Sequence, residues 1–305
     1  MADSVPVLFD TDIGSDIDDA VALAYLLAQP RCDLLGVTTV TGDTRRRAAL
    51  VAALCDAAGR SDVPIHCGAT GPLLHGPGQP HTPQYDAIAD KPHRERFPDS
   101  HAVEFLRQTI RSRPGQITLI AVGPMTNIAL LFASDPDIPG MLKQLVLMCG
   151  AFEASSVGLG PGRREWNAQC DPLATAMVFA ARPPRLLSVG LNVTLQCPMP
   201  MADVRQRFGR IHEPFPTLLS FAEVWFQKMP HMVFHDPLAC ELVFEPDLCR
   251  YRSTTVHVES GPGALAGITV PQGNDGPHEL AVEVDADRVF DHYFQTVEDT
   301  FGLNN

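Results

Sequence analysis

The sequence predicts an α/β fold: a mostly parallel central sheet flanked by helices, an open Rossmann-like core. Three observations carry the expectation. Short apolar runs alternate with helical patterns along the first two thirds of the chain. The runs are nearly continuously apolar, as in strands covered on both faces. Polar clusters recur just after the runs, where a parallel sheet has the carboxyl ends of its strands.

In chain order, the first strand is expected at 5–9 (VPVLF), followed by an almost solidly apolar helix at 18–28 (DDAVALAYLLA). A second strand at 34–40 precedes a helix at 45–58 that carries its arginines toward one end. Strands at 117–122, 145–149 and 186–189 alternate with helices at 101–111, 127–133 and 172–180. After Val193 the alternation weakens, with helices expected at 201–208 and 215–229 and strands at 254–259 and 279–284. No internal repeat or linker interrupts the chain, so residues 1–305 are expected to form a single domain with C-terminal elaborations. The Pro/Gly-rich stretch 68–98 has little periodicity and several histidines, and is long enough to be a functional loop or active-site lid. A second irregular stretch, 153–164, precedes Glu165-Trp166-Asn167.

Composition narrows the class. The chain is 45% hydrophobic and 19% charged, a globular balance, and 305 residues can bury a large core. A formal net charge of -13 argues against a nucleic-acid partner, which needs clustered basic groups to neutralise phosphates. The segment MADSVPVLFD is not a signal peptide, and no apolar run is long enough for a membrane span, so a cytoplasmic protein with no membrane partner is expected. The eight cysteines form no CxxC pair and lie mostly in apolar surroundings, as reduced core residues do.

The stretch DTDIGSDIDDA places five aspartates between Asp10 and Asp19, at the mouth of a buried strand. Acids at a helix start cap free N–H groups and favour the positive dipole end, which accounts for one or two of them but not five. Other polar residues follow the remaining strands: Thr41-Gly42-Asp43, Gly123-Pro124-Met125-Thr126-Asn127, Glu165-Trp166-Asn167 and Asn192. In open α/β sheets these ends converge on one crevice, so the active site is expected at the carboxyl ends of the strands. Oxygen donors without histidine or thiol at metal-like spacing favour calcium or magnesium over zinc, and a flexible multi-carboxylate loop fits calcium. It is no EF-hand: Ile17 and Asp18 break that ligand spacing, and no glutamate closes the loop.

The segments DTDIGSDIDDAVAL, GVTTVTGDT, IAVGPMTNIAL, LVLMCG, EWNAQCDPLA and FHDPLA resemble, in order, the signatures of the inosine-uridine nucleoside hydrolase family. Members cleave the N-glycosidic bond of ribonucleosides with water and a bound Ca2+. The resemblance implies that Asp12 ligates calcium and acts as base on the attacking water, with Asp19, Asp236 and the Val122 carbonyl as further ligands. It implies that Asp18, Glu165, Asn167 and Asp236 hold the ribose hydroxyls and that Trp166 lies near the sugar. His235 becomes the general acid toward the leaving base, suited by a pKa near neutrality. On the long loop His75, His81 and His93 are weaker candidates for the acid, and His81 is also expected at the substrate. The partners implied are a small-molecule ribonucleoside and other copies of the chain, as a homodimer or homotetramer.

Three features depart from the family's commoner pattern. Ser15-Asp16-Ile17 separates Gly14 from Asp18-Asp19, a two-residue extension that leaves the role of Asp16 open. Asp43, expected at the substrate, stands where better-known members carry asparagine, and the loop 153–162 lacks the asparagine of purine-preferring members. Two rival functions remain. A phosphohydrolase is disfavoured because no lysine or arginine is read beside the strand-end motifs to hold a phosphate. A non-catalytic nucleoside- or sugar-binding relative would keep the same residues.

Overall fold

The computed structural model describes residues 4–98, 101–160 and 162–304. Among the described residues six strands form up to Val189: β1 (Val5–Thr11), β2 (Cys32–Thr39), β3 (Ile65–Cys67), β4 (Thr118–Ala121), β5 (Gln144–Met148) and β6 (Leu186–Val189). The remainder contributes β7 (Pro198–Pro200), β8 (His231–Val233), β9 (Cys249–Val258), β10 (Thr269–Gln272) and β11 (His278–Val284). Among the described residues nine strands make one sheet in the order β10-β9-β11-β6-β5-β4-β1-β2-β3, and β7 pairs with β8 apart from it. From β3 to β11 every neighbouring pair is parallel, while β9 and β10 add an antiparallel edge.

This order fixes the place of the site. The chain lays β1, β2 and β3 outward in one direction, then returns to put β4 against the other side of β1 and continues through β5 and β6. Loops leaving β1 and β4 therefore diverge, which opens a crevice at the carboxyl ends of these strands. Asp10 pairs with Ala121 in the register, so the residues that follow, Asp12 and Val122, flank that crevice.

Strand periodicity divides the interior into two layers. Val7, Phe9, Ile120, Val146 and Met148 face one core, whereas Leu8, Leu119, Leu145 and Leu147 face the other. Helix Asp18–Ala28 is buried along all 11 residues, because four further helices pack around it. Complete burial explains why its sequence is solidly apolar instead of amphipathic.

The expected elements recur with shifts of one or two residues at most ends, as where β1 runs on to Thr11 and so carries Asp10 inside the strand. The expected helix 215–229 stops at Trp225, since residues 226–228 turn ahead of Pro230. The C-terminal part is more than an elaboration: β11 lies parallel to β6 inside the main sheet, and helix Ala286–Phe301, absent from the sequence reading, seals one face. That helix buries Val289, Tyr293, Phe294 and Val297 on one stripe. Stretch 68–98 is anchored: it contains the short 3-10 helix Pro83–Ala87, and Gln84 is fully buried. Among the described residues no helix is long and apolar enough to cross a membrane.

Candidate active site

The loop after β1 turns through Gly14 at φ +120°, a conformation that favours glycine. A Cβ there would meet the Thr82 side chain at 2.4 Å, so the turn also needs the missing side chain for packing. Asp18 and Asp19 then occupy the first helical turn. Asp19 Oδ1 accepts from the Thr11 hydroxyl at 2.5 Å and from the Asp12 amide at 3.1 Å. Asp236, in the first turn of helix His235–Glu241, is brought in from the far end of the chain.

Asp18, Asp19 and Asp236 each contribute a carboxylate oxygen, and these oxygens all lie within 4.8 Å of one another. All three side chains are buried. Burial first, and then repulsion from neighbouring aspartates, push all three carboxyls well above the usual range: Asp16 and Asp19 act on Asp18, Asp12 on Asp19, and Asp18 and Asp19 on Asp236. Asp12 is also raised, by burial, and Arg47 draws it partly back. Like charges so close require a cation or protons, and oxygen-only donors suit a hard divalent ion. The donor set therefore fits calcium or magnesium. Its tightest trio includes Asp18, which the resemblance gives to the sugar, while Asp12 stands outside that trio.

These carboxylates floor a cavity of about 520 Å³. Asp12, Asp18, Asp19, Val122, His235 and Asp236 line it, joined by His81, Glu165, Trp166 and Asn167. Asp16, in the two-residue extension, also lines it, with its carboxyl pushed up to about 7, chiefly by burial. Trp166 is half exposed at 47%, as a side chain at the mouth would be.

Several groups are already engaged. Glu165 caps helix Trp166–Cys170, accepting from the amides of Asn167 at 2.6 Å, Ala168 at 2.9 Å and Gly150 at 3.2 Å. Asn167 Nδ2 donates to the carbonyls of Val122 at 2.5 Å and Met148 at 3.1 Å, bridging the ends of β4 and β5. A carbonyl has a second lone pair, so Val122 keeps acceptor capacity. His235 Nδ1 lies 2.7 Å from Thr194 Oγ1; burial, and then His231, hold the imidazole down to about 4. Asp10 does not line the cavity but ties β1 to β2 and to Asn127, accepting from the Thr38 hydroxyl and from Asn127 Nδ2.

Asp43, expected at the substrate, does not line the cavity. It is the N-cap of helix Thr44–Ala57, accepting from the Arg46 amide at 3.0 Å and pairing with the Arg46 guanidinium at 3.2 Å. An aspartate immediately before a helix has this use regardless of any site. His75 and His93 also lie off the cavity; His93 bonds Tyr85 and the Lys91 carbonyl instead. The absence of basic groups near the motifs is likewise corrected. Arg47 lies directly behind the aspartate loop, and Arg164 and Lys228 line the cavity, as do Gln79 and Trp225. Arg47 was findable from its spacing to Leu50, Val51 and Leu54 on one helical stripe.

An open parallel sheet with a carboxylate-floored cavity at its switch point defines an α/β enzyme that works with a cation among oxygen donors. The profile of the inosine-uridine preferring nucleoside hydrolase family matches residues 7–291, and the chain belongs to that family. It is 31% identical to uridine nucleosidase 1 of Arabidopsis thaliana over 87% of this chain and 81% of that protein. It is 30% identical to the pyrimidine-specific ribonucleoside hydrolase RihA of Salmonella arizonae, covering 94% of this chain and 96% of the relative. A plant nucleoside hydrolase structure superposes with a TM-score of 0.83 at 26% identity, over 96% of this chain and 98% of its own.

Proposed function

We propose that this chain hydrolyses the N-glycosidic bond of ribonucleosides to free base and ribose, with calcium held by Asp12, Asp19, Asp236 and the Val122 carbonyl. The buried carboxylates on the floor of one nucleoside-sized cavity carry this reading. When bound, calcium supplies the positive charge these carboxylates lack and acidifies water beside it. Uridine is the first substrate to test, because the relatives named above are a uridine nucleosidase and a pyrimidine-specific hydrolase.

The chain's own groups divide the work. Asp12 takes a proton from water as the oxygen attacks the anomeric carbon and the bond to the base nitrogen breaks. Asp18 and Asp236, with Glu165 and Asn167, hold the ribose hydroxyls, and the surrounding negative field favours the positive charge that develops on the sugar. Trp166 flanks the sugar, and His81 meets the base. His235 faces the departing base as a neutral imidazole. When Nδ1 accepts from the Thr194 hydroxyl, the other ring nitrogen carries the hydrogen and donates a hydrogen bond to the departing base, whose proton comes from solvent.

Release of ribose from uridine, inosine, cytidine and adenosine tests the reading. Arg164 and Lys228 at the cavity are the reason to include nucleoside monophosphates. Phosphate release without ribose would select a phosphohydrolase, and binding without any release a non-catalytic relative.

A further inference from the structure

Arg47 is fully buried, in the first turn of helix Thr44–Ala57. A guanidinium without solvent is expensive unless its N–H groups are paired. Here they are, yet the carbonyl partners belong to three loops and none to a carboxylate. Nε donates to the Thr41 carbonyl at 2.8 Å, in the loop after β2. Nη1 donates to the carbonyls of Asp12 and, at 2.8 Å, Ile13, in the loop after β1, with Ser15 Oγ at 3.5 Å. Nη2 donates to the carbonyls of Gln79 at 2.8 Å and His81 at 3.4 Å, in the irregular stretch.

The same three loops are fitted to one another around this side chain. Thr41 adopts φ +63°, a left-handed conformation unusual for a β-branched residue. It is held there by Arg47 on its carbonyl and by the Gln79 amide on its hydroxyl at 2.9 Å. Gln84 donates its amide to the Gly14 carbonyl at 3.1 Å, and its Nε2 to the Asp16 carbonyl at 2.7 Å. The two-residue extension is thereby received by the irregular stretch, with Arg47 at the junction.

We infer that Arg47 is a positioning residue: it locks segment 79–84 onto the aspartate loop, and so sets Gln79 and His81 at the cavity relative to Asp12. The link to turnover rests on the proposed hydrolysis of ribonucleosides; the lock itself does not. Lysine would keep the charge, but its three donors cannot reproduce a planar fork that spans three loops.

Hydrogen–deuterium exchange of the 79–84 amides, read against those of β4 and β5, tests the lock in Arg47→Lys and Arg47→Met. The lock requires exchange in 79–84 to rise about tenfold or more in Arg47→Met, less in Arg47→Lys, with the sheet amides unchanged. With uridine, KM should rise about tenfold in Arg47→Met while kcat falls less, and Arg47→Lys should recover part of the loss. Unchanged exchange at 79–84 in both variants overturns the inference, as does a wild-type KM in Arg47→Met. If Arg47→Met fails to fold, Arg47→Lys alone decides by the same exchange. A wild type that releases no ribose would defeat the proposed function and leave exchange to judge the lock.

Discussion

The backbone amide of Asp236 donates to Asp18 Oδ2 at 3.2 Å across 218 positions of sequence. Two helix starts meet at this bond, Asp18–Ala28 and His235–Glu241, and each turns its positive end toward the carboxylates. Partial charges at two helix ends cannot balance four buried carboxylates, so the cluster is poised for a cation.

Asp19→Asn and Asp236→Asn should therefore weaken calcium retention and lower turnover together. Removing one charged donor should cost about a thousandfold in kcat/KM, equivalent to ~4 kcal/mol. Metal content and ribose release measured on the same samples check this; full occupancy with near-native turnover would defeat the ligand assignment.

Ribonucleosides should be cleaved far better than 2'-deoxyribonucleosides. A site that bonds a hydroxyl leaves its buried partners unpaired when the hydroxyl is missing, worth about 10²-fold or more in kcat/KM. Equal efficiency on uridine and deoxyuridine would remove Asp18, Glu165 and Asn167 from the sugar.

His235→Ala should damage uridine hydrolysis about a hundredfold more than hydrolysis of a ribose bearing p-nitrophenolate, because only a poor leaving group needs the hydrogen bond that the neutral imidazole donates. Matched losses on both substrates would make His235 a support for Asp236 instead.

The candidate site was legible to different depths. Asp12, Asp18 and Asp19 stand out locally, because five acids around a glycine turn exceed what a helix start can use. Asp236 came only through resemblance, since nothing in FHDPLA alone says that it crosses the fold to Asp18. For Asp43 a cap and a ligand look alike in sequence, and the structure makes it the cap of helix Thr44–Ala57. Arg47 belongs to the arginine-bearing end of its helix, yet its spacing to Leu50 and Leu54 places it on the buried stripe. The core strands were readable from apolar runs, whereas β3, β7 and β8, at three residues each, are too short to show a period. Helix Ala286–Phe301 is legible at helical spacing in Val289, Tyr293, Phe294 and Val297.

Glu241 gives a prediction about stability. Its carboxyl is fully buried, neither oxygen meets a hydrogen-bond partner among the described residues, and burial pushes its pKa well above 4.5. The folded state thus keeps a proton that the unfolded chain loses. Its stabilising share is complete below the unfolded value and is lost as pH rises through the folded one. Glu241→Gln should flatten the fall in melting temperature as pH is raised from about 5 to 9. A variant whose melting profile parallels the wild type at every pH would show that Glu241 does not hold that proton.

Chelation bears most directly on the cation-dependent carboxylate centre. Ribose release from uridine should be measured on protein stripped of metal and again after calcium is returned. The carboxylate centre requires a loss of about a thousandfold or more on stripping, with recovery on calcium addition. Stripped protein, verified free of metal, that released ribose at the original rate would contradict it.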